Sequence, residues 1–205
     1  MKKYFYFLSC FLWFTCFSYS QENMRYEIKG GFAFLNKTEG FSEYSRNGFT
    51  LGLGTVCPID SSFSLSINTS FSRFSSDISR LETNTLSVIG WRTMTEADPV
   101  HIYDISTGIR TIAPNEYIGS FIELRIGVQF AQYGDIRTTQ WTDTYNSTYY
   151  VEKIDHSPVL FWSFGFALKF PQKSYANFFL EGNYTRTFNG NITRIPIMLG
   201  MQFNL

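Results

Sequence analysis

The most regular pattern of hydrophobic and polar positions lies in the last fourteen residues, 192–205. Its large apolar side chains recur at every second position, namely Ile195, Ile197, Leu199, Met201, Phe203 and Leu205. The positions between them are mostly small or polar. A period of two is the signature of a β-strand whose two faces meet different surroundings. A strand of this length with one apolar face is typical of a transmembrane β-barrel.

The same alternation recurs in seven earlier runs, so the pattern predicts eight strands. The earlier runs cover residues 25–36, 48–57, 63–72, 101–112, 118–132, 158–170 and 177–188. The connections between them alternate in length. Tight turns with Pro58, Pro114 and Pro171 follow the second, fourth and sixth strands, and long polar segments follow the first, third and fifth. We therefore expect an all-β fold, an eight-stranded antiparallel up-and-down transmembrane β-barrel with short periplasmic turns and long outer loops.

The polar face of the strands indicates which side of the barrel would meet lipid. It carries acids and bases in equal numbers, at Glu27, Lys29, Asp104, Arg110, Glu123, Arg125, Lys169 and Glu181. An Arg or Lys facing lipid near the midplane costs about 2–4 kcal/mol, so these charges are expected to face the lumen. Arg194 of the last run joins them near the outer rim. An eight-stranded barrel is just wide enough for side chains to fill, which predicts a polar interior without an open channel.

The apolar face carries aromatic residues at both ends of the strands. The turn-side set is Tyr26, Phe63, Phe170, Phe178 and Phe203, and the loop-side set is Phe34, Phe71, Tyr103, Phe130, Trp162 and Phe188. Two aromatic girdles around an aliphatic belt are typical of a membrane barrel. They favour it over the alternative, a soluble lipocalin-like binder with its charges on a solvated outer surface.

Residues 1–20 have the organisation of a secretory signal peptide. Lys2 and Lys3 precede an apolar run, and Ser18 and Ser20 supply small residues at the spacing that a signal peptidase reads. Cleavage after Ser20 would leave residues 21–205 as one barrel domain, exported to the cell outer membrane. That domain keeps Cys57 alone among the cysteines, which excludes an internal disulfide and a cysteine zinc site.

With its signal, its eight-strand meander, its Gln21 start and its terminal R-I-P-I-M-L-G-M-Q-F-N-L, residues 194–205, the chain resembles the small outer-membrane barrels of the OmpX and OmpA type. It looks similar to the single-domain barrels common in Bacteroidota. The resemblance implies a monomer surrounded by outer-membrane lipid, recognised by the barrel-assembly machinery through its C-terminal strand. The chain departs from many such barrels in ending on Leu205, with Phe203 two positions earlier.

Candidate chemistry is sparse. Some barrels of this class are lipid-modifying enzymes that use a rim histidine, and this chain offers His101 and His156. Neighbouring residues in a strand point to opposite faces, so Asp155, His156 and Ser157 do not form a catalytic relay by themselves. We predict no catalytic residue, cofactor or metal, and a lipid A acylase-like or deacylase-like enzyme is kept as the alternative. With 17 basic and 17 acidic residues, nothing in the charge balance indicates nucleic acid.

The long connections hold aromatic residues that are candidates for binding a surface ligand: Trp91, Trp141, Tyr145, Tyr149 and Tyr150. Exposed Tyr and Trp are enriched at binding surfaces. For residues 138–151 an ordinary polar loop is the favoured prediction, and the alternative is a protruding ribbon with an open edge that extends the fifth and sixth strands. The expected role is therefore structural or interactive, in the envelope or at the cell surface.

Overall fold

The computed structural model describes residues 24–35, 45–77, 92–113, 119–132, 136–141, 148–152, 158–170, 176–190 and 192–204. These residues form eleven strands: β1 (Arg25–Leu35), β2 (Gly48–Pro58), β3 (Phe63–Phe74), β4 (Arg92–Ala97), β5 (Val100–Ala113), β6 (Gly119–Gln132), β7 (Ile136–Trp141), β8 (Thr148–Glu152), β9 (Val159–Phe170), β10 (Ala176–Thr187) and β11 (Thr193–Asn204). No helix in the described part of the chain is long and apolar enough to cross a membrane.

Eight of the strands close into a barrel in the order β1-β2-β3-β5-β6-β9-β10-β11. Every neighbouring pair is antiparallel, and β11 pairs with β1 to complete the wall, with Tyr26 opposite Phe203 and Phe34 opposite Ile195. The predicted eight-stranded antiparallel barrel is confirmed. Each of the eight predicted runs corresponds to one barrel strand, with ends that differ by one or two residues.

The three remaining strands form a small sheet in the order β4-β7-β8. This sheet prolongs three strands of the barrel wall, because the register of the pairing is the same on both sides of the rim. Ala97 lies opposite Ile136 four residues beyond the barrel pair of His101 and Gln132. In the same way β7 and β8 continue the register of β6 and β9. The favoured prediction of ordinary loops is wrong for these segments, and the ribbon alternative was nearer, although it did not include β4.

Alternation along each strand produces two opposite environments. In β6, Ile122, Leu124 and Ile126 lie on the outer surface, while Glu123 and Arg125 between them are buried in the interior. Leu124 is 60% exposed, and Glu123 is fully buried. Because successive side chains of a strand point to opposite faces, outer and inner positions alternate in the same way along the barrel strands.

Two apolar clusters lie inside the barrel, one towards each end. The loop-side cluster is formed by Ala33, Leu35, Phe74, Val100, Ile102, Ala131 and Ile192. The turn-side cluster consists of Phe121, Ala167 and Phe179, with the two rings 5.9 Å apart in an edge-to-face arrangement. Gly200 leaves room for Phe179, since a Cβ atom there would lie 2.2 Å from the ring. Between these clusters the interior is polar.

Short connections hold the strand ends by local hydrogen bonds. In the turn between β2 and β3, the backbone N–H groups of Ser62 and Phe63 donate to Asp60 Oδ1 at 2.6 and 2.7 Å. At the other end of the barrel, between β10 and β11, Gly190 takes φ of 77° and its N–H donates to the Thr187 carbonyl at 2.9 Å. Glycine adopts this backbone conformation without steric cost, which allows a short connection there.

An ion-pair ring in the barrel interior

Six charged side chains meet in the polar middle of the barrel. They come from inward positions of four strands, namely Glu27, Lys29, Arg110, Glu123, Arg125 and Glu181. All six are buried, with Arg110 1% exposed and Glu181 fully enclosed. The strands β1, β5, β6 and β10 lie around the barrel, so their inward side chains converge from different parts of the wall.

Arg110 occupies one side of this cluster, between two carboxylates. Its Nη1 and Nη2 atoms donate to the two oxygens of Glu27 at 2.5 and 3.0 Å. Its Nη2 and Nε atoms also donate to Glu123 Oε2 at 2.8 and 3.2 Å. The guanidinium carbon lies 3.8 Å from the centre of the Phe121 ring, a cation–π contact. The planar guanidinium is suited to this role because its five N–H groups project in fixed directions.

Arg125 and Lys29 occupy the other side and close the cluster into a ring. Arg125 Nη2 donates to Glu123 Oε2 at 2.6 Å and to Glu181 Oε1. Lys29 Nζ donates to Glu181 Oε2 at 3.0 Å and lies 3.7 Å from Glu27 Oε2. Acid and base thus alternate around the whole circuit, and the three carboxylates balance the three cations. We call this group the ion-pair ring.

Neutral side chains complete the hydrogen bonding of the carboxylates. Gln202 Nε2 donates to Glu27 at 2.8 Å, and Asn183 Nδ2 donates to Glu181 at 2.7 Å. Glu123 accepts from Ser66 Oγ and, at 3.2 Å, from Asn68 Nδ2. A buried charge is tolerated only when partners replace its lost hydration, which these contacts do.

A second ion pair lies nearer the loops. Arg194 Nη2 donates to Asp104 Oδ2, which also accepts from Ser70 Oγ at 2.7 Å. Arg194 Nη1 donates to Ser72 Oγ at 3.0 Å. At the turn side, Lys169 Nζ donates to Gln202 Oε1 at 2.7 Å.

The structure therefore places all eight charged residues predicted for the lumen on the inner side of the wall. Six form the ring, Asp104 pairs with Arg194, and Lys169 is half-buried at the turn side. The neutral partners of the ring were not identified from the sequence: Ser66, Asn68, Asn183 and Gln202. Their signal was present, since Asn183 and Gln202 share the parity of the charged inward positions on their strands, and Ser66 and Asn68 lie on the polar face of β3.

Two small cavities adjoin the ring, each of about 30 Å³. The loop-side cavity lies among Lys29, Asp104, Arg125 and Arg194, and the turn-side cavity is lined by residues that include Arg110 and Lys169. Side chains of the ion-pair ring line both cavities.

The other candidate residues that the structure describes lie on the outer surface or on the small sheet beyond the barrel. His101 is half-buried on the outer surface, with its ring 5.7 Å from that of Phe71. Trp141 belongs to β7, and Tyr149 and Tyr150 belong to β8. The remaining candidates and the signal segment lie outside the described residues: Trp91, Tyr145, His156 and residues 1–20. No group of His, Cys, Asp or Glu suited to a metal ion occurs in the described part of the chain.

A closed eight-stranded antiparallel barrel with a charged interior and an apolar exterior is the fold of the small outer-membrane β-barrels. Among solved structures, Neisserial surface protein A (NspA) aligns with a TM-score of 0.54 at 8% identity, covering 89% of this chain and 97% of that one. This similarity shows a common fold.

Two further solved structures align with lower scores. OprG from Pseudomonas aeruginosa aligns at a TM-score of 0.48 and 10% identity, over 88% of this chain and 96% of that one. The attachment invasion locus protein Ail of Yersinia pestis aligns at 0.47 and 12%, over 87% and 97%. No protein-family model and no curated protein matches the sequence.

Proposed function

We propose that this chain is an integral outer-membrane β-barrel protein with a filled polar lumen and a structural or surface-interaction role. The observation that carries the proposal is the inverted polarity of the barrel. Phe32, Leu53 and Leu199 are 69%, 59% and 60% exposed, while Glu27 and Arg110 are buried. Burying apolar surface contributes roughly 25 cal/mol per Å², and lipid supplies the apolar surroundings that such an exterior requires.

The same polarity argues against the soluble lipocalin-like alternative. A soluble barrel keeps its apolar positions inside and its charges in water, because apolar groups are stabilised by leaving water and charges are stabilised by it. Here the aliphatic belt faces outwards on every barrel strand, including Ile105 on β5 and Ile197 on β11.

The sheet formed by β4, β7 and β8 supports the interactive part of the proposal. Among the described strands, β4 and β8 each pair with β7 alone, so both present a backbone edge. An open edge is a template to which an extended peptide adds as a further strand. We propose that this sheet stands on the cell surface, with Trp141, Tyr149 and Tyr150 on its strands as candidate ligand contacts.

The proposed role is non-catalytic. Within the described chain, no hydrogen bond joins His101 to a serine or a carboxylate, and its ring packs on the outer face beside Phe71. A rim enzyme acting on lipid would depend on His156, which lies outside the described residues. We further propose export by the signal at residues 1–20, recognition of β11 by the barrel-assembly machinery, and a monomeric state in outer-membrane lipid.

Membrane insertion is tested by extraction and by heat-modifiable gel migration. We expect the expressed chain to remain with the membrane after salt and urea washes and to need detergent for release. Unheated samples should migrate faster in the presence of dodecyl sulfate than boiled ones, because the closed ladder of backbone hydrogen bonds resists the detergent. A monomer that is soluble without detergent and shows no heat-dependent shift would contradict the proposal.

Orientation is tested with single cysteines on a Cys57→Ala background. Thr139→Cys on β7 should react with a membrane-impermeant maleimide on intact cells, because the small sheet is expected to face outwards. Ser61→Cys, in the exposed turn between β2 and β3, is the matched control and should react only after the cells are permeabilised. Labelling of Ser61→Cys alone on intact cells would place the turns outside and overturn the proposed orientation.

A further inference from the structure

Two rows of side chains lie across β3, β5 and β6 on the outer surface of the barrel at the loop side. Phe71, Tyr103 and Phe130 stand directly opposite one another in the ladder and form an aromatic row. Two residues further towards the loops, the same strands align Arg73, His101 and Gln132, which we call the rim row. The alignment follows from the strand register alone, because the members of each row are directly opposed residues on neighbouring strands.

The aromatic row lies one step below the rim row, and two of its three rings are in contact. The rings of Phe71 and Tyr103 are 5.1 Å apart. Phe49 on β2, which stands opposite Arg73 in the ladder, places its ring 6.0 Å from that of Phe71. Phe71 also contacts the His101 imidazole at 5.7 Å, which links the two rows. Aromatic side chains in a barrel girdle lie at the boundary between acyl chains and headgroups.

All three members of the rim row bring hydrogen-bond donors to this boundary. Directly opposed side chains on antiparallel strands have Cβ atoms about 4.5–5.5 Å apart, so neighbouring members reach a common ligand. Arg73 is exposed, and no hydrogen bond or ion pair within the described chain engages its guanidinium. This differs from the buried Arg110 and Arg194, whose charges are matched by carboxylates.

Another exposed arginine on the barrel wall provides an internal comparison. Arg186 on β10 lies on the same face near the loop-side end of its strand. Its opposed neighbours are Trp162 and Thr193, so it has no imidazole or amide beside it. An arginine at the edge of the apolar belt is therefore not sufficient to form a row of donors.

We propose that the rim row binds the phosphate of an anionic lipid headgroup, with the aromatic row against the acyl chains of the same lipid. Guanidinium forms bidentate hydrogen bonds with phosphate, and the adjacent imidazole and amide supply further donors. The unmatched charge of Arg73 is complementary to an anionic headgroup at the membrane surface. This inference rests on the membrane insertion proposed above.

The test uses the full barrel, folded in a neutral detergent and examined by native mass spectrometry with added lipid. Phosphatidylglycerol is compared with a diacylglycerol of the same acyl chains, so that only the phosphate headgroup differs. The unmodified protein should retain phosphatidylglycerol in preference. Arg73→Gln should weaken that retention about tenfold, the change expected when one charge-assisted contact of roughly 1.4 kcal/mol is lost. His101→Gln should weaken it by a smaller factor.

Arg186→Gln is the matched control, with the same change at the same face of the barrel, and should retain the lipid as the unmodified protein does. Retention that is unaffected by Arg73→Gln, or reduced equally by the two arginine variants, would overturn the rim row as a site. Heat-modifiable migration is recorded for every variant. A shifting barrel without lipid preference refutes the site alone, whereas a chain that never shifts refutes membrane insertion and the site with it.

Discussion

Replacement of Glu123 by alanine is expected to lower the free energy of unfolding of the inserted barrel by about 3–5 kcal/mol, which is the cost of removing one partner of a buried ion pair. Glu123 accepts from both Arg110 and Arg125 in the ion-pair ring. Its removal leaves two buried guanidinium groups with an excess positive charge. The loss exceeds that of a typical surface substitution because the arginines cannot regain water in a filled lumen.

Reversible denaturant titration of the barrel in lipid vesicles measures this loss. Glu96→Ala is the control, since Glu96 is an exposed carboxylate on β4 outside the barrel, and its change should stay within about 0.5 kcal/mol. Equal free energies of unfolding for the two variants would mean that the ion-pair ring does not stabilise the barrel. Replacement of the paired residues by apolar ones of similar volume is a different experiment, because it removes both charges together.

Leu124→Arg is expected to destabilise the barrel in bilayers by about 2–4 kcal/mol, the cost of a basic side chain at the midplane of the lipid face. Leu124 lies near the middle of β6 and is 60% exposed, with Ile109 and Phe164 as its opposed neighbours. The substitution removes no buried partner, so the penalty comes from transferring the charge into the hydrocarbon region. Denaturant titration in vesicles again provides the measurement.

Gln132→Arg makes a matched comparison, because Gln132 is exposed on the same strand at its loop-side end. Near the interface the penalty falls to about 0–1 kcal/mol. A graded effect between the two positions is the expected result. If Leu124→Arg were neutral in vesicles, the outer belt would be in contact with water, and the proposal of a membrane barrel would fail.

The sequence predicted the barrel strands well because lipid and lumen impose opposite requirements on successive residues. Run 63–72 alternates Phe, Leu, Ile and Thr with Ser and Asn, and it became β3 with the expected faces. A one-residue slip would have moved every one of these side chains to the wrong face, so register and polarity were coupled.

The short strands of the small sheet were harder to predict because opposite surroundings do not impose an alternating pattern on them. Residues 92–97 read R-T-M-T-E-A, and this segment carries no contrast between an apolar and a polar face. Its pairing with β7 comes from its position, since β5 and β6 bring the two segments together at the rim in a register that is already set. The local pattern of apolar and polar residues contains no information about this pairing.

The ion-pair ring shows most clearly what the sequence pattern predicts and what only the tertiary structure determines. The parity of Glu27, Arg110 and Glu181 was sufficient to assign them to the interior, since a charge on the lipid face is too costly. Which acid meets which base was not readable, because Glu27 and Arg110 are 83 residues apart in sequence and meet through the closure of the wall.

The sequence by itself thus determined the number of barrel strands, the face of each strand and the sign of every interior charge. All three follow from a local period of two and from the cost of charge in lipid. Only the tertiary structure decided the closed circuit of ion pairs, the β4-β7-β8 sheet and the rim row with Arg73. These depend on the stagger between strands that are distant in the chain, which is a property of the closed ladder and of no single segment.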